Sequence, residues 1–128
     1  MPRPLRIEFE NAWYHVSNKG AGRRSIFLKP AHTALFVSIL QDCIDTFDIE
    51  VHAFCFLSNG YHLLIKTPRG NLSQAMRQLN GMYTQRFNKE QALDGPLFKG
   101  RYRATVLEKN YLLPISRFID LQPVTHKL

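Results

Sequence analysis

The residue on which chemistry can be built is His62. It lies in Leu57-Ser58-Asn59-Gly60-Tyr61-His62-Leu63-Leu64-Ile65-Lys66-Thr67-Pro68, a Ser-Asn-Gly turn followed by an apolar run that Pro68 ends. That is the pattern of a short buried strand. Residues two apart in a strand share a face, so positions 60 and 62 point one way and Tyr61 the other. Imidazoles at both positions would converge on one metal ion; this chain places glycine at the first and histidine at the second. A second cluster lies in Leu97-Phe98-Lys99-Gly100-Arg101-Tyr102-Arg103-Ala104-Thr105-Val106-Leu107, where aromatics interleave with cations before a strand begins. Stacked bases need π faces and the sugar-phosphate backbone needs cations, so this is the composition of a single-strand binding surface, each stacked base contributing roughly 1–3 kcal/mol. The competing reading puts Phe98 and Tyr102 in the core, with Lys99, Arg101 and Arg103 carrying their charges out to solvent. A third candidate is the loop Asn18–Ser25, where glycines let backbone N–H groups approach a phosphate and Lys19, Arg23 and Arg24 add charge. An ordinary solvated turn has the same composition.

Those groups need a scaffold, and length and composition bound it. The 128 residues are 45% hydrophobic and 21% charged, which suits one domain over 1–128 with its own core. No apolar run reaches about eighteen residues and no cleavable apolar signal follows Met1, so a cytoplasmic protein with no membrane partner is expected. Cys43 and Cys55 stand among apolar residues as reduced core thiols; twelve residues apart, they make a poor zinc site. Seventeen basic against ten acidic side chains leave a net charge of +7. Such an excess favours a polyanion, because each phosphate neutralised releases condensed counterions.

The elements follow from periodicity. After a basic, proline-broken arm (Met1 to Arg6), Ala12–Ser17 is dense in aromatic and β-branched residues and reads as a first strand. From Pro30 to Phe47, Leu35, Phe36, Ile39, Leu40, Cys43, Ile44 and Phe47 recur at helical spacing, with Pro30 in the first turn. Glu50–Leu57 alternates through Val51, Ala53, Cys55 and Leu57 as a second strand, and the strand of His62 closes a hairpin with it. Asn71 can cap the next helix with Gln74 reaching back. Leu72, Ala75, Met76, Leu79, Tyr83 and Phe87 form its buried stripe to about Asn88. Its other side carries Arg77 and Arg86 among glutamines, a face that can hold phosphates or simply be solvated. The strand within Leu97–Leu107 comes next. A last helix starts near Leu113, with Pro114 in its first turn. Before that helix the order is βαββαβ, the α+β ferredoxin-like or RRM-like split unit: an antiparallel sheet with helices on one face and the other face open to nucleic acid.

Taken together these segments resemble the single-strand DNA transposases that carry a His-hydrophobic-His strand and one catalytic tyrosine, and most of all the branch associated with repetitive extragenic palindromes (REP). The marks are Pro4-Leu5-Arg6-Ile7-Glu8, Tyr14-His15-Val16, Val51-His52-Ala53 and Asn71-Leu72-Ser73. Met76-Arg77-Gln78-Leu79-Asn80-Gly81, Tyr83-Thr84-Gln85-Arg86-Phe87-Asn88, Leu97-Phe98-Lys99-Gly100-Arg101-Tyr102 and Ser116-Arg117-Phe118-Ile119 complete them. The resemblance implies metal-assisted transesterification on single-stranded or hairpin DNA. In it a Mg²⁺ or Mn²⁺ ion held by a histidine pair and a polar residue of the last helix polarises the phosphate, and a helix tyrosine attacks phosphorus. Matched position by position, His62 is the second histidine and Gln122 the polar ligand. Gly60 replaces the first histidine, and Phe118 replaces the nucleophile with a ring that has no hydroxyl. The resemblance therefore implies a transposase-like DNA-binding protein, monomeric or homodimeric, with cleavage lost or impaired and its cation held weakly or not at all. Glycine at 60 beside phenylalanine at 118, in a chain ending four residues past Val124, points to decay of an active ancestor.

Substitute groups are few. Tyr111 lies two turns before Phe118, roughly 10 Å along the axis. His52 is expected in hairpin packing, His15 either at the DNA or packed in its strand, and His32 and His126 at the surface. Two alternatives stay open: an active metal-dependent nuclease using Tyr111 or an activated water, and an RNA-binding module, since this sheet also presents aromatics to RNA.

Overall fold

The computed structural model describes residues 10–108. The arm before Glu10 and the last helix, with Tyr111, Phe118 and Gln122, lie outside the described residues. Within them the order is β1 (Ala12–Lys19), a 3₁₀ turn (Ala21–Arg23), α1 (Pro30–Phe47), β2 (Glu50–Leu57), β3 (Gly60–Thr67), α2 (Leu72–Gln91) and β4 (Arg103–Leu107). The strands form one sheet in the order β2-β3-β1-β4, with every pairing antiparallel. This is the βαββαβ arrangement that the periodicity predicts.

Alternation along the central strands decides which side is core. Tyr14 and Val16 of β1 and Tyr61, Leu63 and Ile65 of β3 are almost wholly buried. They pack with Phe36, Ile39 and Cys43 of α1 and with Leu72, Met76, Leu79, Tyr83 and Phe87 of α2. Burying each such large apolar side chain is worth about 1.5–3 kcal/mol. Both helices therefore cover one face, and His15, Ser17 and His62, whose parity is opposite, belong to the other.

Several local features differ from the sequence reading. Asn71 stands at the N-cap position of α2 but makes no side-chain cap. Its Nδ2 donates instead to the Phe47 carbonyl at 2.8 Å, tying the start of α2 to the end of α1. In β2 the pairing skips from Val51↔Ile65 to Ala53↔Leu64, a bulge at His52. Val51 consequently packs against the helix-side core while Ala53, Cys55 and Leu57 pass to the opposite face. That face is not uniformly open: Ala53, Cys55 and Leu64 are buried there, with Trp13, Leu57 and Leu107 packed against them.

His32, expected at the surface, is fully buried. Its Nδ1 accepts the Leu28 N–H at 3.0 Å, which leaves the proton on Nε2 to donate to Glu90 at 3.0 Å. Helical spacing places His32 on the same side of α1 as Phe36, and the ring packs 4.9 Å from Phe87. Both thiols, Cys43 and Cys55, are buried as predicted.

Candidate metal and nucleic-acid site

The register across the sheet brings distant residues into two rows on the face away from the helices. One row runs Cys55–His62–Ser17–Arg103 and the next Ala53–Leu64–His15–Thr105. His15 and His62 are therefore diagonal neighbours across β1 and β3. Their rings stack with centroids 5.2 Å apart, and His15 Nε2 stands 3.0 Å from His62 Nδ1. One of the two nitrogens donates and the other accepts. Burial holds the His15 imidazole below the ordinary histidine range, so the neutral ring is favoured. Sequence reasoning left His15 between packing and DNA contact; the pairing was hidden because it depends on the register of two strands far apart in the chain.

Gly60 contributes no donor, and the backbone is built around its lack of a side chain. A Cβ placed there would lie 2.6 Å from the Asn18 carbonyl oxygen on β1, well inside contact distance. Lys19 is its register partner, so the two strand ends meet backbone to backbone at this corner.

Cations gather at the same end of the sheet. The segment 97–100 is laced to the end of β1: Ala21 N–H donates to Leu97 O at 2.9 Å and Lys99 N–H to Lys19 O at 2.8 Å. The Asn18 amide adds a longer bond to the Gly100 carbonyl, 3.4 Å. Gly20 forms an isolated bridge with Phe98. A Cβ on Gly20 would strike the Arg24 carbonyl oxygen at 2.2 Å, so this close approach requires glycine. The lacing builds a cavity of about 230 Å³ lined by Ser17, Asn18, Lys19, Lys99, Gly100, Arg101 and Arg103. Ser17 is also the register partner of His62, so cavity and imidazole pair adjoin. Four positive side chains around so small a volume create a strong local attraction for phosphate.

The other predicted contacts divide. Phe98 and Tyr102 are 7% and 9% exposed and belong to the main core, Phe98 meeting Tyr61 edge-on at 6.0 Å. Their rings are not available as a stacking platform, which corrects that expectation. The reason is the lacing itself, which pins the 97–102 segment down and turns its apolar side chains inward while the cations face out. Arg77 and Arg86 are exposed on α2, with the sheet between them and His62. Arg24 lies 6.0 Å over the Phe87 ring. Arg23 belongs by backbone to the 3₁₀ turn. His52 packs tilted against Trp13, ring centroids 4.5 Å apart, and bonds Glu50 at 2.9 Å, so it is engaged at the bulge and not in the His15–His62 pair.

Among the described residues no group of three or more His, Cys, Asp or Glu side chains could hold a metal. The His15–His62 pair stands without a third such ligand, its facing nitrogens bonded to each other. No helix among them is long and apolar enough to cross a membrane.

Comparison with known proteins agrees with this layout. A family described as IS200-like transposase matches residues 8–122. No curated protein sequence matches the chain. A solved REP-associated tyrosine transposase bound to a REP hairpin superposes with a TM-score of 0.80 at 16% identity, over 98% of this chain and 74% of that one. A putative transposase from Deinococcus radiodurans R1 gives a TM-score of 0.62 at 18% identity, over 94% of this chain and 98% of the other. At such identities the likeness is one of fold.

Proposed function

Since the chain belongs to the IS200-like transposase family, we propose that it binds a single-stranded or hairpin DNA end in the cytoplasm and has lost most or all of the family's strand cleavage. The observation that carries the reading is the cavity of Lys19, Lys99, Arg101 and Arg103 beside His62. In it the Lys and Arg side chains neutralise backbone phosphates and Arg forks bind phosphate oxygens in pairs. The solved relative bound to a REP hairpin supports DNA as the partner.

Cleavage needs a nucleophile and a positioned phosphate. Phe118, at the position matching the family's tyrosine, has no hydroxyl, and loss of a covalent nucleophile can lower a rate about a millionfold. Gly60 supplies no metal ligand. A divalent cation, Mg²⁺ or Mn²⁺ by resemblance, would polarise the scissile phosphate when bound. His62, with Gln122 at the matching position beyond the described residues, is what the chain keeps of the family's ligand set, and His62 Nδ1 is engaged with His15 Nε2 at 3.0 Å. The chain's own cations are left with binding and orienting the strand.

The test is filter binding of a labelled hairpin oligonucleotide bearing a single-stranded tail. Lys99→Ala and Arg101→Ala should each weaken binding, whereas Arg77→Ala, on the far side of the sheet, should leave it within about twofold. Equal losses at all three positions would remove the cavity from the reading.

A further inference from the structure

We propose that the outer edge of β2 and the neighbouring side of α1 form a docking groove for an extended peptide segment, one that alternates apolar and cationic residues and adds to the sheet as a further strand. The groove lies apart from the DNA cavity, and nothing in its case rests on the transposase reading.

Exposed apolar side chains gather on this flank. Of the five large hydrophobics that stand exposed among the described residues, three lie here: Leu28 at 53%, Val37 at 44% and Phe54 at 57%. Two adjoining hollows share Phe56 as a common wall, one reaching Leu28 and Ala34, the other Val37, Gln41, Ile44 and Phe54. Helical spacing sets Ala34, Val37, Gln41 and Ile44 in one stripe of α1. Phe54 and Phe56 stand opposite it on β2, two positions apart, and stack with centroids 5.2 Å apart. An apolar trough rimmed by polar side chains is the mark of an interaction site.

The backbone supplies the mode of binding. In the order β2-β3-β1-β4, β2 is an edge whose one partner strand among the described residues is β3. The outer side of such an edge presents alternate N–H and C=O groups to which an extended segment bonds. The bulge at His52 breaks the regular ladder, so docking is confined to Ala53–Leu57. Every second side chain of the added strand then drops beside Phe54, Phe56 and Val37.

Charge selects the occupant. No lysine or arginine occurs from Pro30 to Ile65, whereas Asp42, Asp45, Asp48 and Glu50 do, in a chain of net charge +7. All four carboxylates are exposed, and Asp45 accepts a hydrogen bond from the Gln41 amide of the trough at 3.2 Å. The C-terminus of α1 adds the negative end of its dipole. Nucleic acid is repelled from such a flank, and a second copy would set acid against acid. A cationic strand finds complementary charge. Because β3 separates this edge from β1, on which the cationic cavity is built, both sites can be filled at once.

The experiment is fluorescence anisotropy of a labelled peptide of alternating valine and lysine, titrated with the wild-type protein. Two controls run beside it: valine alternating with glutamate, and the valine–lysine peptide N-methylated at alternate residues, which keeps its charge but loses strand donors. The first peptide should bind saturably and both controls roughly tenfold more weakly or worse, with Phe54→Ser and Val37→Ser each costing a similar factor. Phe54→Ser should leave hairpin DNA binding unchanged. Should a variant misfold, hydrogen exchange of the wild-type protein decides: the peptide should slow residues 53–57 and not 103–107. Overturning results are equal binding of either control, no slowing at 53–57, displacement of the peptide by hairpin DNA, or a dimer that Phe54→Ser splits, which would give the edge to a second copy. Loss of hairpin binding at Lys99 or Arg101 is read on DNA alone, so either reading can fail without the other.

Discussion

Gly60→Ala adds a single carbon at the corner where β1 and β3 meet, and the structure sets the scale of its effect. The new Cβ would lie 2.6 Å from the Asn18 carbonyl oxygen. Ordinary carbon–oxygen contacts start near 3.3 Å, so roughly 0.7 Å of backbone movement is required. The movement is resisted by the hydrogen bonds next to it, Gly20 N–H to Asn59 O and Lys99 N–H to Lys19 O, at 2.9 and 2.8 Å. Overpacking of this kind costs about 1–3 kcal/mol, and the smaller unfolded-state entropy of alanine offsets about 0.4–1 kcal/mol. The net expectation is a loss of about 1–2 kcal/mol, or a Tm lower by roughly 4–8 °C for a domain of this size. Urea denaturation followed by circular dichroism should show a lower midpoint at unchanged slope. Gly60→His should lose at least as much, since its Cβ meets the same carbonyl oxygen. An alanine variant as stable as the parent would refute the argument that this corner of the sheet is built around glycine.

Other outcomes follow from the same coordinates. Lys99→Ala should reduce the slope of log affinity against log salt for single-stranded DNA by about 0.7, the value for one phosphate contact, measured by fluorescence anisotropy. Hydrogen bonds from His32 and Lys29 hold the Glu90 carboxyl below the usual carboxylate range. A depressed folded pKa stabilises above the unfolded value of about 4.3 and is lost as pH falls through the folded one. Thermal melts from pH 6 downward should therefore show a steeper acid decline for the parent than for Glu90→Gln. Burial, with Asp42 nearby, pushes the Cys43 thiol up to about 11. At pH 8 it should resist iodoacetamide in the folded protein and react once urea unfolds the chain, as mass spectrometry would read.

The scaffold was legible because its signals are local. Helical spacing from Leu35 to Phe47 and the prolines at 30 and 68 marked elements that the structure keeps, α1 and β2 with the bounds expected. What stayed hidden was non-local. The bulge at His52 reverses the facing of Ala53 and Cys55 against an alternation that reads as continuous. Phe98 and Tyr102 have the composition of a stacking surface, yet backbone bonds to β1 turn them into the core. His15 gained its meaning only from the β1–β3 register, which no window along the chain contains. His32 looked exposed because its partner, Glu90, lies 58 positions away.

A grip without a cut can be read in one reaction. The protein is incubated with a 5′-labelled hairpin DNA carrying a single-stranded tail, with Mg²⁺ or Mn²⁺ present, and the mixture is divided between a native and a denaturing gel. A retarded complex on the first, with neither shortened DNA nor a protein–DNA adduct on the second, is the predicted pair of results. A covalent adduct, a cleaved strand, or no retarded complex at low salt would contradict it.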